Sequence, residues 1–162
     1  MLRMEVKMEM EFKIGKMTRK AEVLFSDGSR LSGNFFVSST SPTHSGSESI
    51  WDMLTSERLY LPFQSDQGDI LLIQIECIVM VLLVGNDEMN KDLPYTKTIS
   101  AQVCFLTGET LEGKFYLDLP ESRSRLSDFL NENIKFFYLE AQEKDYLVNS
   151  RFVKWVLPVS TE

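Results

Sequence analysis

The chain has 162 residues, with 17 Lys+Arg against 24 Asp+Glu, a single His, a formal charge of −7 and a pI of about 4.8. With 43% apolar and 25% charged residues it has the make-up of a folded domain, which excludes a disordered chain, and its length suits one domain of usual size or two small ones. The longest apolar run, residues 70–85, is broken by Gln74 and Glu76 and falls short of the roughly 18–20 uninterrupted residues of a membrane span, so buried strands and no membrane partner are expected.

Taken in chain order, residues 3–13 interleave Arg, Glu and Lys, which removes the apolar core of a secretory signal and makes a cytoplasmic location the expectation. Leu2, Met4, Val6, Met8, Met10, Phe12 and Ile14 alternate with mostly charged residues, the pattern of one long strand with a single apolar face. Such a strand must pair with the rest of its own chain or with a second chain. Residues 1–18 are therefore read as an amino-terminal extension.

The remainder is written twice. Ala21, Val23, Phe25, Gly28, Leu31, Gly33, Phe35 and Phe36 recur at a constant offset of 80 as Ala101, Val103, Phe105, Gly108, Leu111, Gly113, Phe115 and Tyr116. Ile50, Asp52, Met53 and Leu54 match Leu126, Asp128, Phe129 and Leu130. Leu71 and Leu72 are paired with Leu147 and Val148, and Ile78 and Val81 with Val153 and Val156 after one more residue of slack. The repeats are placed at 19–84 and 97–160, joined by a polar linker over 85–96.

Each repeat opens with alternating apolar residues on either side of Asp27-Gly28 or Thr107-Gly108, a hairpin whose turn tolerates positive φ. Gly33 and Gly113 lie inside the second strand, where the chain bends or admits another backbone. Ile50, Met53 and Leu54, like Leu126, Phe129 and Leu130, stand at helical spacing, and Ser49 with Asp52 has capping-box spacing. Strands are expected at 59–63, 70–75 and 78–82, and again at 136–139, 146–149 and 153–157. The fold class is thus mainly β with short helices, two units of order β-β-α-β-β-β. Residues 38–49, with eight Ser/Thr in twelve, have no apolar anchor and are expected to form a mobile surface loop.

The pattern V-x-F-x-x-G-x-x-L-x-G-x-F, closed by V-x-x-V-x-P at Val153, Val156 and Pro158, resembles the Sm-like family. The resemblance covers most of each repeat and implies two small, bent, SH3-like barrels that join through edge strands into rings. It also implies where RNA would bind. Asp128, Phe129, Leu130 and Asn131 mimic one family element at shortened spacing, and Asn149-Ser150-Arg151 stands where the second belongs, without its glycine or histidine. The first repeat keeps Asp52 but has neither the Asn nor the Arg, and the helix interrupts strands two and three rather than preceding strand one. The family's RNA-binding residues are not carried over.

Chemistry is sparse. His44 lies in the Ser-rich loop, away from fixed neighbours, and no HExxH, GxSxG or phosphate-loop pattern occurs. No catalytic residue, cofactor or metal site is expected. Cys77 and Cys104 read as small buried apolar residues, a disulfide between them being the alternative. Trp51, Trp155, Phe129 and the Phe/Tyr pairs are assigned to cores or to the contact between repeats. Asp52 and Asp128 read as first-turn carboxylates stabilised by the helix dipole.

The candidate interaction residues are Arg123, Arg125, Asp128, Asn131 and Arg151, with the arginines able to grip an anionic group. The expected function is a non-enzymatic protein-interaction or assembly module, its partners a protein or a second copy held by edge strands. The alternative is an RNA-binding regulator. Net negative charge weakens that reading, because phosphate neutralisation supplies most nucleic-acid affinity.

Overall fold

The computed structural model describes residues 17–41, 45–85, 97–118 and 125–159. The alternating segment 2–14, His44, most of the linker and Arg123 lie outside the described residues.

The first repeat supplies β1 (Met17–Phe25), β2 (Arg30–Val37), helix α1 (Ile50–Leu54), β3 (Tyr60–Ser65), β4 (Ile70–Gln74) and β5 (Ile78–Leu83). The second supplies β6 (Lys97–Phe105), β7 (Thr110–Leu117), α2 (Leu126–Leu130), β8 (Phe136–Ala141), β9 (Lys144–Asn149) and β10 (Val153–Pro158). A single 3-10 turn, Ile75–Cys77 or Ser150–Phe152, precedes the last strand of each half. Both hairpins turn on a glycine with positive φ, +88° at Gly28 and +94° at Gly108.

All strands belong to one antiparallel sheet of order β10-β6-β7-β8-β9-β5-β1-β2-β3-β4. The first half contributes β5-β1-β2-β3-β4 and the second repeats it as β10-β6-β7-β8-β9. The two are joined where β5 pairs with β9, Met80 opposite Val148 and Leu83 opposite Asp145. Each half has a core cluster, and each cluster includes the other half: Phe136, Tyr138 and Leu147 pack with the first, Leu24, Val79 and Met80 with the second. Gly33 and Gly113 lie where the neighbouring strand crosses closest. A Cβ there would stand 2.1 Å from the Gln64 carbonyl oxygen and 2.7 Å from that of Glu140.

Four expectations are corrected. The ladders match β4 of the first half to β9 of the second one residue differently, since Gln64 faces Ile70 as Glu140 faces Asp145. Leu72 therefore corresponds to Leu147, Ile73 to Val148 and Leu71 to Tyr146, because the shorter turn lies before β9 rather than after it. The Ser-rich loop is anchored by polar groups: the buried Glu48 carboxylate accepts from the Ser38 N–H at 3.0 Å and from Arg58 at 2.6 Å, and Ser41 donates to buried Asp52 at 2.8 Å. Both cysteines are free thiols, Cys104 buried and Cys77 half-buried. Trp155 belongs to no core and stands 42% exposed on β10.

Candidate interaction edges at the two ends of the sheet

Three of the sequence-selected residues meet at α2. Arg125 is its N-cap and its Nε lies 3.3 Å from Asp128 Oδ2, while Asn131 caps the other end and donates to the Ser127 carbonyl at 2.8 Å. These contacts are local helix contacts. Arg151 is elsewhere, on the 3-10 turn before β10, with Nη1 3.5 Å from Glu76 Oε2 on the matching turn of the other half. A shallow groove beside it is lined by Asn133, Lys135, Asn149 and Ser150. Buried Asn149 donates to the Ile78 carbonyl at 2.9 Å and accepts from the Arg151 N–H, so its role is to hold the two halves.

The join between β5 and β9 carries most of what is polar and shared. Arg30 Nη1 lies 3.7 Å from Glu22 and its Nη2 lies 3.8 Å from Glu109 of the other half. With Met80, Phe105 and Tyr146 they line a cavity of about 160 Å³. Burial pushes the Tyr146 phenol up and the Glu22 carboxylate adds to it, with Arg30 opposing. Nearby, burial and then the hydrogen bond to Asp145, 2.6 Å long, hold the Tyr138 phenol far above its ordinary range. Both phenols stay neutral. The arrangement holds two halves together and presents no activated nucleophile or base.

The same positions look different at the ends of the sheet. Strand β10 is the second-half copy of β5: Val156 pairs with Val103 as Val81 pairs with Val23. Met80 is 8% exposed and its counterpart Trp155 42%; Leu147 is fully buried and its counterpart Leu72 58% exposed. Leu71 and Leu157 are also exposed, as is Tyr60, whose counterpart Phe136 is buried. Among the described residues no further strand lies beside β10 or β4, whereas at the join β9 lies beside Met80 and β5 beside Leu147. An apolar patch of this kind marks a contact surface, and an unpaired strand edge supplies the hydrogen-bonding groups to dock on.

None of these exposed residues is among the interaction residues chosen from the sequence, which assigns Trp155 to a core or to the contact between repeats and reads β4 and β9 as one apolar pattern. Two signals were there in β10. Lys154 and Pro158 occupy the positions of Val79 and Leu83, and charge or proline in a strand is characteristic of an edge. Among the described residues no three His, Cys, Asp or Glu side chains converge as a metal site would require, and no helix is long and apolar enough to cross a membrane. Comparison with protein-family models, with curated proteins and with solved structures finds no match.

Proposed function

We propose that this protein is a non-enzymatic assembly module, two Sm-like barrels in tandem, that self-associates through the bare edges of β4 and β10. One observation carries the reading: residues buried at the internal join are exposed at both ends of the sheet, Leu72 against Leu147 and Trp155 against Met80. An edge with unpaired backbone groups and exposed Leu and Trp is stabilised by adding a strand, which hydrogen-bonds the backbone and removes apolar area from water. The engagement of Arg125 with Asp128 and of Arg151 with Glu76 favours this reading over RNA binding. Both cations already face carboxylates.

The test is native mass by size-exclusion chromatography with light scattering, at low and high salt. The full chain is expected to run as a discrete multiple of 18.7 kDa, and the double variant Leu72→Lys, Leu157→Lys as a monomer with unchanged circular dichroism. A wild-type chain that stays monomeric at all concentrations overturns the reading.

A further inference from the structure

We infer that Ser41 is a phosphorylation site whose modification unlatches helix α1, the phosphoryl group coming from a nucleoside triphosphate through a separate Ser/Thr kinase. The site lies in the first half of a single chain and does not require the self-association proposed above.

The loop that joins β2 to α1 is folded back on itself. The Glu48 N–H donates to the Ser38 carbonyl and the Ser41 N–H to the Gly46 carbonyl, both at 2.9 Å. Ser39, Thr40 and Ser45 are exposed, whereas Ser41 is half-buried and turns its hydroxyl towards the helix. Its Oγ donates to Asp52 Oδ2 at 2.8 Å, and the same oxygen accepts from the Ser49 N–H at 3.0 Å. One carboxylate oxygen thus ties both the start and the end of the loop to α1. Asp52 is 5% exposed and stands among Ile50, Met53 and Leu54, all fully buried.

A helix this short has no stability of its own, so α1 depends on its cap and on the burial of its apolar side chains. The second half supplies the contrast. Asp128 occupies the place of Asp52, but it is half-buried and faces the Arg125 guanidinium at 3.3 Å. At the matching place the first half sets a neutral hydroxyl, a group that can be esterified, against a carboxylate shut away from water.

Phosphorylation forms a bond between Ser41 Oγ and the γ-phosphorus and breaks the bond from that phosphorus to the β–γ bridging oxygen. The nucleoside diphosphate leaves with that oxygen, and the hydroxyl proton passes to the kinase's general base. The ester oxygen then has no proton to donate, and a group of about −1.5 to −2 charge stands against the buried carboxylate. Like charges at that separation cannot both be kept from water. The loop therefore swings off α1, Asp52 loses the contact that fixes its oxygen, and Ile50, Met53 and Leu54 loosen in the core. Hydrolysis of the ester by a phosphatase releases phosphate and returns the hydroxyl, which closes the latch again.

The test uses the full chain with phosphate placed on Ser41 by genetic encoding of phosphoserine, or on exposed Ser39 as the control, and reads hydrogen exchange of the α1 amides. Phosphate on Ser41 should speed their exchange about a hundredfold, leave β6 and β7 as they were, and be reversed by a phosphatase. Ser41→Ala removes the hydrogen bond without adding charge and should speed exchange only about tenfold. In Asp52→Asn the like charge is gone, so phosphate on Ser41 should add no more than about threefold. An α1 as protected with phosphate on Ser41 as with phosphate on Ser39, or one that Ser41→Ala loosens as much as the phosphate does, overturns the latch. Because a proline follows Ser41 in the sequence, the second measurement treats the folded wild type with ATP and a proline-directed Ser/Thr kinase and maps the phosphate by mass spectrometry. Ser41 is expected as the major site. Phosphate confined to other residues overturns the assignment.

Discussion

The two helices occupy the same place in their halves but are held very differently. In α1, Ile50, Asp52, Met53 and Leu54 are all buried, Ser49 accepts from the Asp52 N–H at 3.1 Å, and the Asp52 carboxylate accepts from the Ser49 N–H at 3.0 Å. In α2 only Leu126 is buried, and the N-cap is Arg125, whose side chain makes no capping bond. The first half is plugged by its own helix. The cores are shared across the join in both directions, Phe136, Tyr138 and Leu147 entering the first half's and Leu24, Val79 and Met80 the second's. Equivalent strand order thus coexists with unequal anchoring of the two helices.

The sharpest break in this comparison is at the paired glycines. Gly33→Ala places a methyl 2.1 Å from a backbone oxygen that cannot rotate away, whereas at Gly113 the backbone oxygen is 2.7 Å off and the next contact is a Leu139 side chain. Overpacking of this kind costs about 1–3 kcal/mol and sometimes more. Gly33→Ala should exceed about 3 kcal/mol and Gly113→Ala fall near the lower end, as read by urea unfolding. Next in size are the helix plugs. Met53→Ala, at a fully buried site, should cost about 2–5 kcal/mol. Phe129→Ala, at a half-buried site, should cost less, about 1–2 kcal/mol for the area removed. Hydrogen exchange by mass spectrometry would assign each loss to its half. Equal losses would mean that α2 plugs its half as deeply as α1.

The ease with which the sequence is read follows this difference between local and distant interactions. Hairpins were legible because the alternation and the turn glycine are local, and α1 because Ser49 and Asp52 announce a cap three residues apart. The register of β4 was not. Leu71-Leu72 matches Leu147-Val148 when the pair is taken alone, but that alignment sets Ile73 against Asn149, and the ladders to β3 and β8 place Leu71-Leu72-Ile73 on Tyr146-Leu147-Val148. Pairing of β5 with β9 is further from reach, since nothing local to either strand selects the partner. Arg151 was found as a cation, but its partner Glu76 lies in the other half of the sequence and appears only once the join is formed. The exposed edge was hidden for the same reason: burial of Leu147 and exposure of Leu72 depend on which strand arrives beside them.

Caps come third. Ser49→Ala should cost about 1 kcal/mol, because the Asp52 N–H loses its acceptor beside a buried carboxylate. Arg125→Ser, which gives α2 the N-cap residue that α1 has, should raise stability by about 0.5 kcal/mol on the same scale. A thermal-unfolding series of the two variants measures both. If the second half is limited by the join rather than by its helix, Arg125→Ser will leave the midpoint where it is.

The smallest difference is at the hairpin turns. The Asp27 carboxylate accepts from the Ser29 N–H at 2.9 Å and from the Ser29 hydroxyl at 2.6 Å, and these bonds, the hydroxyl's first, hold its pKa below the ordinary carboxylate value. The second half has Thr107 at that place and nothing to titrate. A lowered folded pKa means that the unfolded chain takes up the proton first, so the contribution is present above the unfolded value of about 3.9 and is lost as pH falls through the folded one. Asp27→Thr makes the turns alike, and its stability should lie below that of the wild type at pH 6 and converge with it as the pH falls through the folded value. Because Asp27 is fully exposed, the gap will be small and screened by salt, and exchange of the β1–β2 turn amides against those of β6–β7 is the measurement able to resolve it. A gap that persists once the carboxylate is protonated in both states would assign the difference to the backbone preference of the turn rather than to the carboxylate's charge.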